Sequence, residues 1–113
     1  MSMKIPADAT VAQPKLVNYL LAPRPKDDKS AYLGQAGFDR SDPDTLESEI
    51  RRLAVGAEAE EDGTNEYGTF LRAEGTLTGP NGRTLEVVMI WLRLHIDGSV
   101  RFVTLKPNRR KRA

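Results

Sequence analysis

Apolar residues follow two different periods along this chain, and the change between them splits it into a helical half and a stranded half. In the first half Leu16, Tyr19 and Leu20 share one face at helical spacing, behind a Pro14 that suits a first turn. Pro23 and Pro25 end that helix. A second short helix is predicted over 29–36, burying Tyr32, Leu33 and Ala36, with Asp27 or Asp28 near its start and Gly37 as its C-cap. The third helix is the clearest. Leu46, Ile50, Leu53 and Ala54 make an apolar stripe over 45–55, and Asp44 with Glu47 has the spacing of a capping box. Residues 4–6 read as a short edge strand or a loop, since proline suits edges. Residues 56–65 lose all periodicity and read as a mobile acidic loop or a frayed helix end.

From residue 67 the period becomes two. Strands are predicted over 67–78, 83–96 and 99–106, joined by GPNG at 79–82 and by Asp97-Gly98, the signature of a two-residue type I′ turn. The middle strand carries the longest apolar run, with the single tryptophan and the single histidine. The fold class this implies is α+β, with N-terminal helices packed on one face of a three- to four-stranded antiparallel meander sheet. One domain over 1–107 is expected, followed by a disordered basic tail over 108–113.

Turn lengths sort the faces. A two-residue loop at Asp97-Gly98 pairs Ile96 with Ser99, and a four-residue loop at 79–82 pairs Thr78 with Arg83. One face then holds Leu71, Ala73, Val88, Ile90, Leu92, Leu94, Val103 and Leu105, and takes the helices. The other presents Phe70, Arg72, Glu74, Val87, Met89, Trp91, Arg93, His95, Phe102, Thr104 and Lys106. A change of one residue in either loop would exchange faces for the strand it feeds.

Composition narrows the chemistry. The chain has 113 residues, room for a single core. It has no cysteine and one histidine, which excludes disulfides, thiolate metal sites, cysteine nucleophiles and a multi-histidine centre. No P-loop, GxGxxG, GxSxG, HExxH or EF-hand pattern occurs, and no cofactor is expected. No apolar run reaches the ~20 residues of a membrane span, so no membrane partner and a cytoplasmic location are expected. The net charge of +1 hides a polarity along the chain: nine acids lie between residues 42 and 66, while residues 101–113 carry six cations and no acid.

The second face carries the candidate chemistry. Trp91 and Phe70 suit stacking on bases, and arginine and lysine between them suit phosphate. His95 has the proton-transfer range of a general acid or base, while Arg72, Arg93 and Lys106 would stabilise a phosphorane-like transition state. Thr104 would donate to a phosphate oxygen, and Glu74 is a second proton-transfer candidate. The same residues equally describe a solvated sheet face, or an aromatic pair set in a contact with another protein.

Three segments resemble a small bacterial domain family of unassigned function: KLVNYLLAP at 15–23; KSAYLGQAGF at 29–38; and Tyr67-Gly68 with GPNG, Trp91, Asp97-Gly98 and Thr104-x-x-Pro107. The resemblance spans about residues 4–107. It implies a compact effector-like domain of the kind found alone or as a C-terminal domain of polymorphic toxins, related to the RelE/barnase/colicin ribonuclease-like folds. It adds Lys29, heading the second helix, to the candidate set, and it departs from the family where Tyr32-Leu33 replaces an aromatic pair. Two readings follow. One is a toxin-like, RNA-directed domain, a metal-independent ribonuclease using Lys29, Arg72, Arg93, His95, Thr104 and Lys106, with RNA and a small immunity- or antitoxin-like protein as partners. The other is a non-enzymatic module that uses the same face to bind a protein or to form a homodimer.

Overall fold

The computed structural model describes residues 3–23 and 29–108. Its sheet is wholly antiparallel and runs in chain order: β1 (Met3–Lys4), β2 (Glu58–Thr64), β3 (Gly68–Thr78), β4 (Thr84–Leu94) and β5 (Val100–Pro107). β1 is two residues long, so four strands make up nearly all of the sheet. α1 (Gln13–Lys15), α2 (Ser30–Gly34) and α3 (Pro43–Gly56) precede or interrupt it. The α+β class and the helices on one side of an antiparallel meander are as the pattern predicted.

Each helix differs in detail from its forecast. α1 continues into a π-helical turn over Leu16–Leu20, closed by Leu21 N–H donating to Leu16 O at 2.8 Å. The wider winding buries Leu16 and Leu20 but turns Tyr19 outward, where it is 55% exposed. α2 is shorter than predicted, and Gly37 follows it at φ +92°, the left-handed backbone that favours glycine. Asp27 and Asp28 fall outside the described residues, as does the tail beyond Asn108. α3 starts at Pro43, so its N-cap is Asp42 and the predicted capping box does not form. Its stripe packs as expected, with Leu46, Ile50 and Ala54 buried.

The acidic stretch is a strand. Glu58–Thr64 pairs along β3, because only Ala59 of the stretch must enter the core, opposite Ala73. Alternation was hidden by acids on the solvent-facing positions, a common way of keeping a sheet edge from pairing with another chain.

The larger correction concerns β4. Thr78 pairs with Thr84, not Arg83, so the first loop is 79–83 and β4 is turned over relative to β3. Leu71 lies opposite Trp91, Ala73 opposite Met89 and Leu77 opposite Leu85, all on the helix side. The second loop is 95–98, closed by Leu94 N–H donating to Ser99 O at 2.8 Å, with Gly98 at φ +74°. A bulge between Ile90 and Trp91 then lets Phe102 face Trp91 and Leu105 face Met89 on the same side. Val88, Ile90, Leu92, Leu94 and Val103, predicted to bind the helices, stand on the opposite face.

The 79–83 loop is clamped by the end of α2. Asn81 N–H donates to Ala36 O at 3.2 Å, its side-chain amide to Gln35 O at 3.0 Å, and a Cβ on Gly79 would lie 1.9 Å from Ala36 O. That contact holds the loop at its length, and the length sets which side of β4 is buried. One core results, in which Leu16, Leu20, Leu33, Leu46 and Ile50 meet Leu71, Leu77, Met89, Trp91 and Leu105.

Candidate functional site

The face without helices is built by alternation along four strands. At one level Phe70 lies beside Leu92 and then Arg101; at the next, Glu60, Arg72, Ile90 and Thr104 run across; at the third, Glu74, Val88 and Lys106. An apolar band therefore runs down the middle, with Glu60 and Glu74 around Arg72 on the β2 side and cations on the β5 side. Among the described residues every buried helical side chain joins the core cluster on the other face. Phe70, Ile90, Leu92, Leu94 and Val103 on this face are half-buried.

Hollows lined by described residues open on this face. The first, about 460 Å³, has Phe70, Leu92 and Val103 as its floor. It is bordered by Arg101, Lys15 and Thr10, because Thr10 makes a single parallel bridge to β5: its N–H donates to Val100 O at 2.9 Å and its carbonyl accepts from Phe102 N–H at 2.8 Å. The second, about 440 Å³, is polar and lined by Gly56, Glu58, Glu60, Arg72 and Glu74. Arg72 is ion-paired with Glu74, which also accepts from the Asn108 side-chain amide at 3.0 Å. Glu74 and Asn108 thus close over Val88, which is only 2% exposed although it lies outside the core cluster.

The structure gathers some of the predicted site and disperses the rest. Lys29 and Thr104 come together, Nζ donating to the hydroxyl at 3.0 Å. Arg72, Lys106, Glu74 and Phe70 share the open face with Thr104. Trp91 does not: it is 1% exposed, packed edge-to-face on Phe102 at a centroid distance of 5.2 Å. Its Nε1 has no hydrogen-bond partner among the described residues. Arg93 faces the helix side at the end of the sheet, paired with Glu61 at 3.1 Å. His95 is exposed in the 95–98 loop, its backbone N–H donating to Tyr67 O at 2.9 Å. Asp97 in the same loop is held below its ordinary carboxylate range by the Ser99 hydroxyl and then the Ser99 amide.

Distance decides what this set can do. Thr104 pairs with Ile90, and β4 runs four residues further to Leu94 before His95 begins. At about 3.4 Å per residue that is roughly 14 Å, against the ~3 Å that proton transfer to a shared substrate atom needs. His95, Arg93 and Lys29 do not converge. No metal-binding group of three His, Asp or Glu occurs among the described residues, and no described helix is long and apolar enough to cross a membrane.

Sequence reasoning missed Lys15, Arg101, Leu92 and Val103, which line the apolar hollow. Val103 at the bulge and Leu92 on the turned strand were assigned inward by the assumed loop lengths. Lys15 could not be placed without knowing that Thr10 bridges to β5.

Fold and faces together define a small α+β domain with a one-sided helical cover and an open antiparallel sheet. The chain belongs to a family described as a domain of unknown function, DUF6883, whose model matches residues 5–109. Neither the curated proteins nor the solved structures gave a match.

Proposed function

We propose that this domain is a non-enzymatic interaction module that binds a protein through its open sheet face. The observation that carries the reading is the half-buried apolar band of Phe70, Ile90, Leu92, Leu94 and Val103, which no buried side chain of a described helix covers and which charge flanks on both sides. Contiguous apolar surface bordered by polar groups is the usual mark of a contact site in a soluble protein. The toxin-like, RNA-directed reading has less behind it. Its stacking residue Trp91 is in the core, and His95 stands beyond Leu94, itself about 14 Å along the strand from the level of the Lys29–Thr104 pair.

Site-specific photocrosslinking in cells tests the proposal. A crosslinking residue at position 92 should give a discrete protein adduct, and the same residue at position 55, exposed on α3, should not. No adduct at 92, or an equal one at 55, would overturn it. An adduct destroyed by ribonuclease would replace it with the RNA-directed reading.

A further inference from the structure

We infer that the partner of the open face is a second copy of this chain, the two sheets packed face to face about a twofold axis parallel to the strands. The inference rests on reading that face as a protein-binding surface, and adds the identity of the occupant.

Charge placement carries it. The β2 side of the face has an excess of acid, with Glu58, Glu60 and Glu74 around Arg72 in the polar hollow and Lys4 beside Glu58 at the edge. The β5 side is cationic, with Arg101, Lys106 and the Lys29 ammonium held on Thr104. Between them lie Phe70, Ile90 and Leu92. A twofold axis along the strands exchanges left for right while keeping the level along the strand. With the axis between β3 and β4, Phe70 of one copy comes over Leu92 of the other. Glu60 comes over Thr104 and its Lys29, and Glu58, one residue beyond the Ala59–Ala73 pair, comes over Lys106. A twofold axis across the strands would instead set acid on acid and cation on cation. A uniformly acidic or basic partner would match one border and be repelled by the other. A face that carries both signs on opposite sides of an apolar centre is complementary to itself, which is what an isologous dimer requires. Aligned sheet packing, with mean strand directions within about 30° of each other, is the common geometry for such a pair.

Sedimentation equilibrium over a wide concentration range reads the outcome. The chain should approach about 25 kDa, twice 12.5 kDa, and dissociate more readily as salt rises. Leu92→Asp should be monomeric with an unchanged circular-dichroism spectrum. Glu58→Lys and Lys106→Glu should each weaken the dimer about tenfold, since each change acts twice in a twofold assembly and replaces attraction by repulsion. The double reversal should restore the dimer, and its recovery does not depend on how Leu92→Asp folds. A monomer at every concentration, a dimer indifferent to Leu92→Asp, or a double reversal no better than its parents would overturn the inference. A chain that is monomeric alone yet crosslinks a different protein through position 92 removes the second copy and leaves the binding face standing. A chain that does neither removes both.

Discussion

Trp91 and Phe102 meet edge to face on the helix-covered side of the sheet, their rings 5.2 Å apart and inclined at 74°. The most chemically suggestive side chain of the sequence is therefore a core residue. Trp91→Ala should cost about 3–5 kcal/mol, the usual result of emptying a large aromatic site. Trp91→Phe should cost much less, because the indole N–H it removes makes no hydrogen bond among the described residues. Chemical denaturation followed by circular dichroism measures both, and equal losses would contradict the placement.

Positions on the two faces of β4 should respond unequally. Met89 is fully buried and Leu92 half-buried on the open face. Met89→Asn should cost about 3 kcal/mol or more through lost packing and an unpaired buried amide. Leu92→Asn should stay within about 1 kcal/mol when measured on the dilute monomer. A reversed order in urea midpoints would restore the face assignment drawn from turn lengths alone.

Acid should expose one link between helix and sheet. Glu49 accepts both nitrogens of the Arg52 fork at 2.6 and 2.7 Å and the Thr78 amide at 2.7 Å. The Arg52 hydrogen bonds, with help from Thr78, hold its carboxyl below the ordinary 4.5. A depressed carboxylate adds stability that is present above its unfolded value and is lost as pH falls through the folded one. Glu49→Gln should therefore be less stable than the parent at neutral pH, with the gap narrowing below about pH 4. Denaturation midpoints at neutral and acid pH test the sign; a gap that widens in acid would contradict it.

Purified protein should leave total and transfer RNA intact on incubation, and His95→Ala should be indistinguishable from the parent. The scattered positions of His95, Arg93 and Lys29 motivate this expectation. Cleavage that disappears with His95→Ala would defeat the non-enzymatic reading.

Glycines should divide by what surrounds them. A Cβ on Gly68 would lie 2.1 Å from Arg93 O, backbone against backbone, whereas Gly82 has open space and only its φ of +89° to satisfy. Gly82→Ala should cost about 1–2 kcal/mol from the left-handed backbone alone, and Gly68→Ala should cost more. Thermal unfolding of the two variants orders them.

How much of this was legible in the sequence depended on which physical quantity carried it. Helical stripes such as Leu46, Ile50 and Ala54 announce themselves because period and burial coincide. The three long strands were legible for the same reason, within a residue or two of their ends. Faces were not, because a period of two holds no memory of phase across a loop. Phase came from assumed turn lengths, and the added residue in the 79–83 loop turned Val88, Ile90, Leu92 and Leu94 outward together. Of the candidate site, Arg72, Glu74, Thr104, Lys106 and Phe70 kept their predicted face because β3 and the far end of β5 kept their phase. Trp91, Arg93 and Phe102 did not. The Lys29–Thr104 contact, 75 residues apart, had no local signal; only the family resemblance had set both residues apart.

The clamp of Ala36 and Gln35 on the 79–83 loop has a consequence for rewiring the chain. The two hairpin loops are not interchangeable places to open it. New termini within 95–98, where the residues are exposed and a Cβ on Gly98 would meet open space, should give a circular permutant that keeps β4 the right way out. New termini within 79–83 would release the one connection whose length decides β4's orientation, and that permutant would be free to choose a different core.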